Sequence, residues 1–135
     1  MKTKPILSIA DVKTILEAAQ AYAVKQNWAV TISVVDDGGH LLGLVRLDGA
    51  APISAQISPA KARTAALGRR ESKIYEDTIN QGRMSFLSAP GLEGMLEGGV
   101  PVVFDGQVVG AVGVSGVKSN EDVEIARAGI AALAP

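Results

Sequence analysis

The 135-residue chain contains no cysteine. Disulfides, zinc–thiolate sites and thiol nucleophiles are excluded together. A single histidine, His40, rules out metal sites built from several imidazoles. Aromatic residues make up only 4% of the chain, so alanine, valine and glycine must build the core by close packing. There is no basic run and the formal net charge is −1, which argues against a nucleic-acid partner. The opening Met1-Lys2-Thr3-Lys4-Pro5-Ile6-Leu7-Ser8 has charge but no apolar stretch of signal or membrane length. The expectation is a cytoplasmic protein with no membrane partner. No G-x-x-x-x-G-K-[ST] phosphate loop occurs, and Gly110-Ala-Val-Gly113-Val-Ser-Gly116 lacks dinucleotide-binding spacing.

What the chain has is a surplus of small apolar residues: 47% are hydrophobic and the mean hydropathy is +0.24. That length and content suit one domain spanning 1–135, with apolar surface to spare for a subunit interface. The strongest local signal is Ala29 to Asp48, two β-branched runs flanking Asp37-Gly38-Gly39-His40. Gly38-Gly39 predicts a two-residue hairpin turn. The resulting register sets Thr31 opposite Arg46, Ile32 opposite Val45, Ser33 opposite Leu44, Val34 opposite Gly43, Val35 opposite Leu42 and Asp37 opposite His40. Arg46 is then a charge within a strand, either on a solvated face or in an anion-binding cleft.

Before this hairpin, Ser8 and Asp11 predict a capping box, with Val12, Leu16, Ala19 and Ala23 as the buried helical stripe up to Asn27. After it, Ser54 or Ser58 can cap a second helix, with Pro59 in its first turn. Lys61 and Arg63 fall on different faces of that helix. Glu71 to Gln81 suggests a further helix, and Gly82 to Gly91 a loop with a short extended piece. Met84, Phe86, Leu87, Met95 and Leu96 are expected in the core. A second hairpin turns at Asp105-Gly106, with Val102 facing Val109 and Val103 facing Val108, and is expected to be central and covered. Ser119 or Asn120 caps the last helix, with Glu121 and Asp122 at its positive end. Two hairpins with flanking helices give an α+β fold with an antiparallel sheet. Its helix-free side or rim is expected to shelter the cationic side chains.

Few catalytic devices survive inspection. Asp37 and His40 lack a third metal ligand, and a Ser-His-Asp triad would need His40 at an exposed turn. A polar pocket for an anion remains. Arg46, Lys61 and Arg63 would supply charge, Ser115 and the amides near Gly98-Gly99 and Gly116 would donate hydrogen bonds, and Glu97 would accept a proton.

The segments Val35-Asp-Asp-Gly-Gly-His-Leu41, Arg46-Leu-Asp-Gly-Ala50, Lys61-Ala-Arg-Thr-Ala65, Gly98-Gly-Val-Pro-Val102 and Val109-Gly-Ala-Val-Gly-Val-Ser-Gly116 carry a resemblance. With Asp122 and Ala126-Arg-Ala-Gly129, they make the chain similar to the GlcG/HbpS family from Ser8 to Leu133. That resemblance implies a profilin-like sandwich and a homo-oligomer. It also implies a small-molecule ligand, haem in some relatives, and an association with cobalamin metabolism in others. An enzyme acting on a small carboxylate of glycolate or aromatic-acid catabolism, by hydrolysis, isomerisation or lyase chemistry, is the alternative. A non-catalytic scaffold is the third. Ligand-binding candidates are Arg46, Lys61, Glu97, Ser115 and His40, and His40 is the leading iron ligand ahead of Met84, Met95, Tyr22 and Tyr75.

Overall fold

Ser8 starts the first helix, α1 (Ile9–Lys25), through the expected reciprocal cap. Its hydroxyl accepts the Asp11 N–H at 3.1 Å, and the Asp11 carboxylate accepts the Ser8 N–H at 2.8 Å. The buried stripe is Val12, Ile15, Ala19 and Ala23. Ile15 takes the place expected for Leu16, which is half-buried, because a three-then-four spacing keeps the stripe on one side. These statements come from a computed structural model describing residues 1–133.

Strands β1 (Thr31–Asp36) and β2 (Leu41–Arg46) pair as expected from Thr31↔Arg46 to Val34↔Gly43. Beyond that the register slips: Val35 pairs with Leu41, not Leu42. Asp36, rather than Asp37, bonds to His40, donating its N–H to that carbonyl at 2.9 Å. The turn is one residue longer than the expected Gly38-Gly39 pair, with only Gly39 at positive φ (82°). The Asp36 carboxylate causes this by accepting the N–H groups of Gly38 and His40, each at 2.9 Å.

The second hairpin, β3 (Gly99–Phe104) and β4 (Gln107–Ser115), turns on Asp105 and Gly106, both at positive φ. Val103↔Val108 holds, but a bulge sets Val102 against Gly110 instead of Val109. The hairpins join through β1 and β4 into one antiparallel sheet of order β2-β1-β4-β3. The α+β sandwich is therefore present, with one correction. Strand β3 is an edge, not a covered centre, and leaves Val103 and Phe104 exposed. Pro101 fits an edge because it has no N–H to give an outer neighbour.

Neither face is free of helices. Helix α2 (Ser54–Gly68) covers one, and α1 with α4 (Ser119–Ala131) covers the other. The α1/α4 side buries Ile32, Val34, Val112 and Val114. The α2 side packs Ala62, Ala65 and Ala66 on Val35 and Ala111. Ser54 and Ser58 do not cap α2, and Pro59 lies inside it rather than in its first turn. Both hydroxyls turn to the sheet instead, to Thr31 and Ser33. Lys118, not Ser119 or Asn120, holds the cap position of α4, its N–H bonding Glu121 at 3.2 Å.

Helix α3 (Ser72–Asn80) matches the expected segment, and a 3₁₀ turn (Met84–Ser88) replaces the extended piece. Of the five apolar residues expected in the core here, only Met95 is buried. Phe86 rests its ring edge on Tyr75, while Met84, Leu87 and Leu96 stay exposed. No helix among the described residues is long and apolar enough to cross a membrane.

Candidate functional site

A polar seam runs between α2 and the sheet. Thr31 and Ser54 share a hydrogen bond of 2.8 Å, and Ser33 and Ser58 one of 2.7 Å. Ser58 donates onward to the Gly113 carbonyl at 2.8 Å. The seam ends in an ion pair. Lys61 Nζ donates to the Val114 carbonyl at 2.9 Å and to Asp122 Oδ2 at 3.0 Å, and the Lys61 and Asp122 side chains are only 4% and 2% exposed. Asp122 Oδ1 accepts the Val117 N–H at 3.2 Å. Burial pushes the Asp122 carboxyl up to about 6, against the opposing pull of Lys61 and the Val117 amide. Every buried side-chain polar atom among the described residues has a partner, so this seam is a finished piece of structure. In the sequence Asp122 is legible as a helix-dipole residue and as part of the family resemblance, not as the partner of a lysine. The signal for its role is a lysine beside an alanine face that must bury its stem.

The other candidates are distributed around the sheet. Arg46 is exposed and folds back on the Ala50 carbonyl, with Nη2 at 2.8 Å. Ser115 is buried and, with Arg46, flanks Thr31 in one row across the sheet. Glu97 is half-buried, and its N–H donates to Glu76 at 3.3 Å. Arg63 is exposed and reaches the Gly91 carbonyl at 3.4 Å. No hydrogen bond or ion pair joins any two of Arg46, Lys61, Glu97, Ser115 and His40 among the described residues. Of the expected set, the structure packs Lys61 against Gly98 and Gly99 and beside Val114–Ser115, and places Arg46 and Ser115 on either side of Thr31 in the sheet; His40 lies apart, at the first turn.

His40 has a different setting. Its Nδ1 lies 3.2 Å from Asp36 Oδ1, and its side chain is 77% exposed. Burial alone would raise the Asp36 carboxyl, but the His40 and Gly38 amides and the imidazole outweigh it and hold it below the usual range. An Nδ1–H donated to Asp36 leaves the Nε2 lone pair directed outward, as in carboxylate-oriented metal-binding histidines. Two cations border this turn, both engaged with Asp37: Lys4 pairs with its carboxylate at 3.0 Å and Arg69 donates to its carbonyl. Arg63 touches Gly39 only with its aliphatic stem, beside Leu67, and its guanidinium reaches the Gly91 carbonyl. Among the described residues no three His, Cys, Asp or Glu side chains cluster around a metal position, and His40 is the side chain at this turn that would hold an iron, through its imidazole.

A cavity of about 640 Å³ lies elsewhere, between Pro5–Leu7, the β3–β4 hairpin and the end of α4. Haem needs an apolar bed, an iron ligand and cations for its two propionates. The groove supplies only the first: among the described residues its sole charged lining is Asp11 and Asp105, and no His, Met or Tyr lines it. The His40 turn supplies the other two, with Leu67 as its apolar neighbour. Tyr22 is engaged with Glu124 at 3.2 Å, and Tyr75 and Met95 are buried. Met84 is exposed but has no orienting partner comparable to Asp36. The turn thus offers the ligand and the charge without the bed, and the groove the bed without either.

Residues 7–131 match the family model described as haem degrading protein HbpS-like. Protein GlcG of Escherichia coli K12 is 62% identical over 115 residues, 85% of each chain. A crystal structure of a double mutant of Streptomyces reticuli HbpS superposes with a TM-score of 0.90 at 30% identity, covering 100% of this chain and 92% of that one. A crystal structure of PduOC in complex with haem gives 0.87 at 28% identity, covering 96% of both.

Proposed function

We propose, from the premise that this chain belongs to the HbpS-like family, that it is a haem-binding protein. One observation carries the reading: an exposed imidazole oriented by a carboxylate, with Lys4 and Arg69 beside it. In this reading His40 would hold the iron through its imidazole and Asp36 would fix the ring. Lys4 and Arg69 would lie toward the propionates. Haem supplies the redox-active iron; the chain supplies orientation and charge. The solved haem complex of PduOC supports the same ligand class.

Titrating the purified protein with hemin is expected to give a saturable Soret shift. His40→Ala should abolish it, and Asp36→Asn should weaken binding about tenfold through the lost orientation. An identical titration for His40→Ala would overturn the assignment of the ligand. A flat wild-type titration would overturn haem binding itself.

A homo-oligomer in the cytoplasm completes the proposal. Its support is unpartnered apolar surface on the β2 edge of the sheet, at Leu41 and Leu44. Light scattering is expected to return a mass of at least twice the 13.9 kDa chain. A monomer at micromolar concentration would contradict it.

A further inference from the structure

The groove beside the β3–β4 hairpin, a cavity of about 640 Å³, offers neither the ligand nor the cations of the haem reading. Its floor is Val102 and Val109, each under 5% exposed, and its walls include Leu7, Phe104 and Ile130. This is the size and character of a small-molecule site. Its charge has one sign. Asp11 and Asp105 are the only ionisable residues in the lining, and neither meets a Lys or Arg among the described residues. The Ser8 cap holds the Asp11 carboxyl below its usual range, so it stays ionised. Asp105 sits in an open turn with no side-chain hydrogen bond among the described residues. Phe104 adds an aromatic face to which a cation is attracted.

We propose that this groove binds apolar organic cations, molecules with an alkyl or aryl body and an ammonium head. The body lies on the valine floor, and the head is held at the rim by Asp105 and Asp11. An anionic amphiphile meets two carboxylates there and is disfavoured. The site is separate from His40, so it stands or falls without the haem reading.

Calorimetry with octylammonium, octanol and octanoate below their micellar ranges tests this. Octylammonium should bind about three- to fivefold more tightly than octanol, the size of a partly exposed ion pair, and octanoate most weakly. Asp105→Asn should narrow the advantage of the amine over the alcohol, since asparagine tolerates the positive φ of this turn and Asp11 remains. Val103→Lys, at an exposed position, should lower amine affinity and raise that of octanoate. Equal affinities for all three probes, or no binding of any, would overturn the proposal. So would amine affinity unchanged in both variants. A fall in particle mass for Phe104→Ala without amine binding would assign the groove to a second copy of the chain instead.

Discussion

Lys61→Ala should remove about 3–5 kcal/mol of folding stability, because it strands Asp122 as an uncompensated buried charge. A urea midpoint within error of wild type would mean that the amine is not buried against Asp122 in solution. Replacing both partners, Lys61→Met with Asp122→Leu, should recover most of the loss, since two desolvated charges are exchanged for packing. The pair also sets a pH dependence. The folded Asp122 carboxyl titrates at about 6, above its ordinary value of 3.8. The folded state therefore holds an extra proton between about pH 4 and 6, and this group's contribution is complete below that window. It is lost as pH rises through the folded value, by roughly 3 kcal/mol. Asp122→Asn should flatten the stability profile across that window, and Lys61→Ala should cost less at pH 5 than at pH 8. A parallel pair of profiles for wild type and Asp122→Asn would refute the shift.

Gly113→Ala should be comparably damaging, at about 3 kcal/mol or more. A Cβ there would lie 2.2 Å from the Ser58 carbonyl oxygen and 2.5 Å from the Ala62 nitrogen. Both are backbone atoms of α2, so no rotamer change relieves the clash, and the helix must lift from the sheet. The Thr31–Ser54 and Ser33–Ser58 bonds would lengthen with it. Gly106→Ala provides the control. Nothing lies within 4 Å of that position, so only the left-handed backbone opposes a side chain, at about 1–2 kcal/mol. Chemical denaturation of the two variants separates a packing penalty from a backbone one. Equal losses would remove the close approach of α2 as the explanation.

The elements were legible where local chemistry decides them. Ser8 and Asp11 fix a helix start, and Asp105-Gly106 fixes a two-residue turn, with no help from the rest of the chain. The failures lie where a distant or competing group intervenes. The Asp36 side chain lengthened the first turn, and the Ser54 and Ser58 hydroxyls chose the sheet over the helix end. Neither is visible in hydrophobic periodicity. The same holds for the site. His40 stood out as the lone imidazole, but its orientation depends on Asp36 four residues earlier. Lys61 was noticed for its charge. Its partner Asp122, at the far end of the chain, is reached only once α2 and α4 are placed beside β4.

The strand order has a kinetic consequence. Each hairpin closes locally, but β1 and β4 can zip together only after most of the polypeptide between Asp36 and Gly110 has been drawn into a loop. Loop closure of that kind, required before the central ladder forms, slows folding relative to a helical bundle of the same length. Until then the apolar flanks of β1 and β4 are bare, and that interval, rather than the finished molecule, is when aggregation competes.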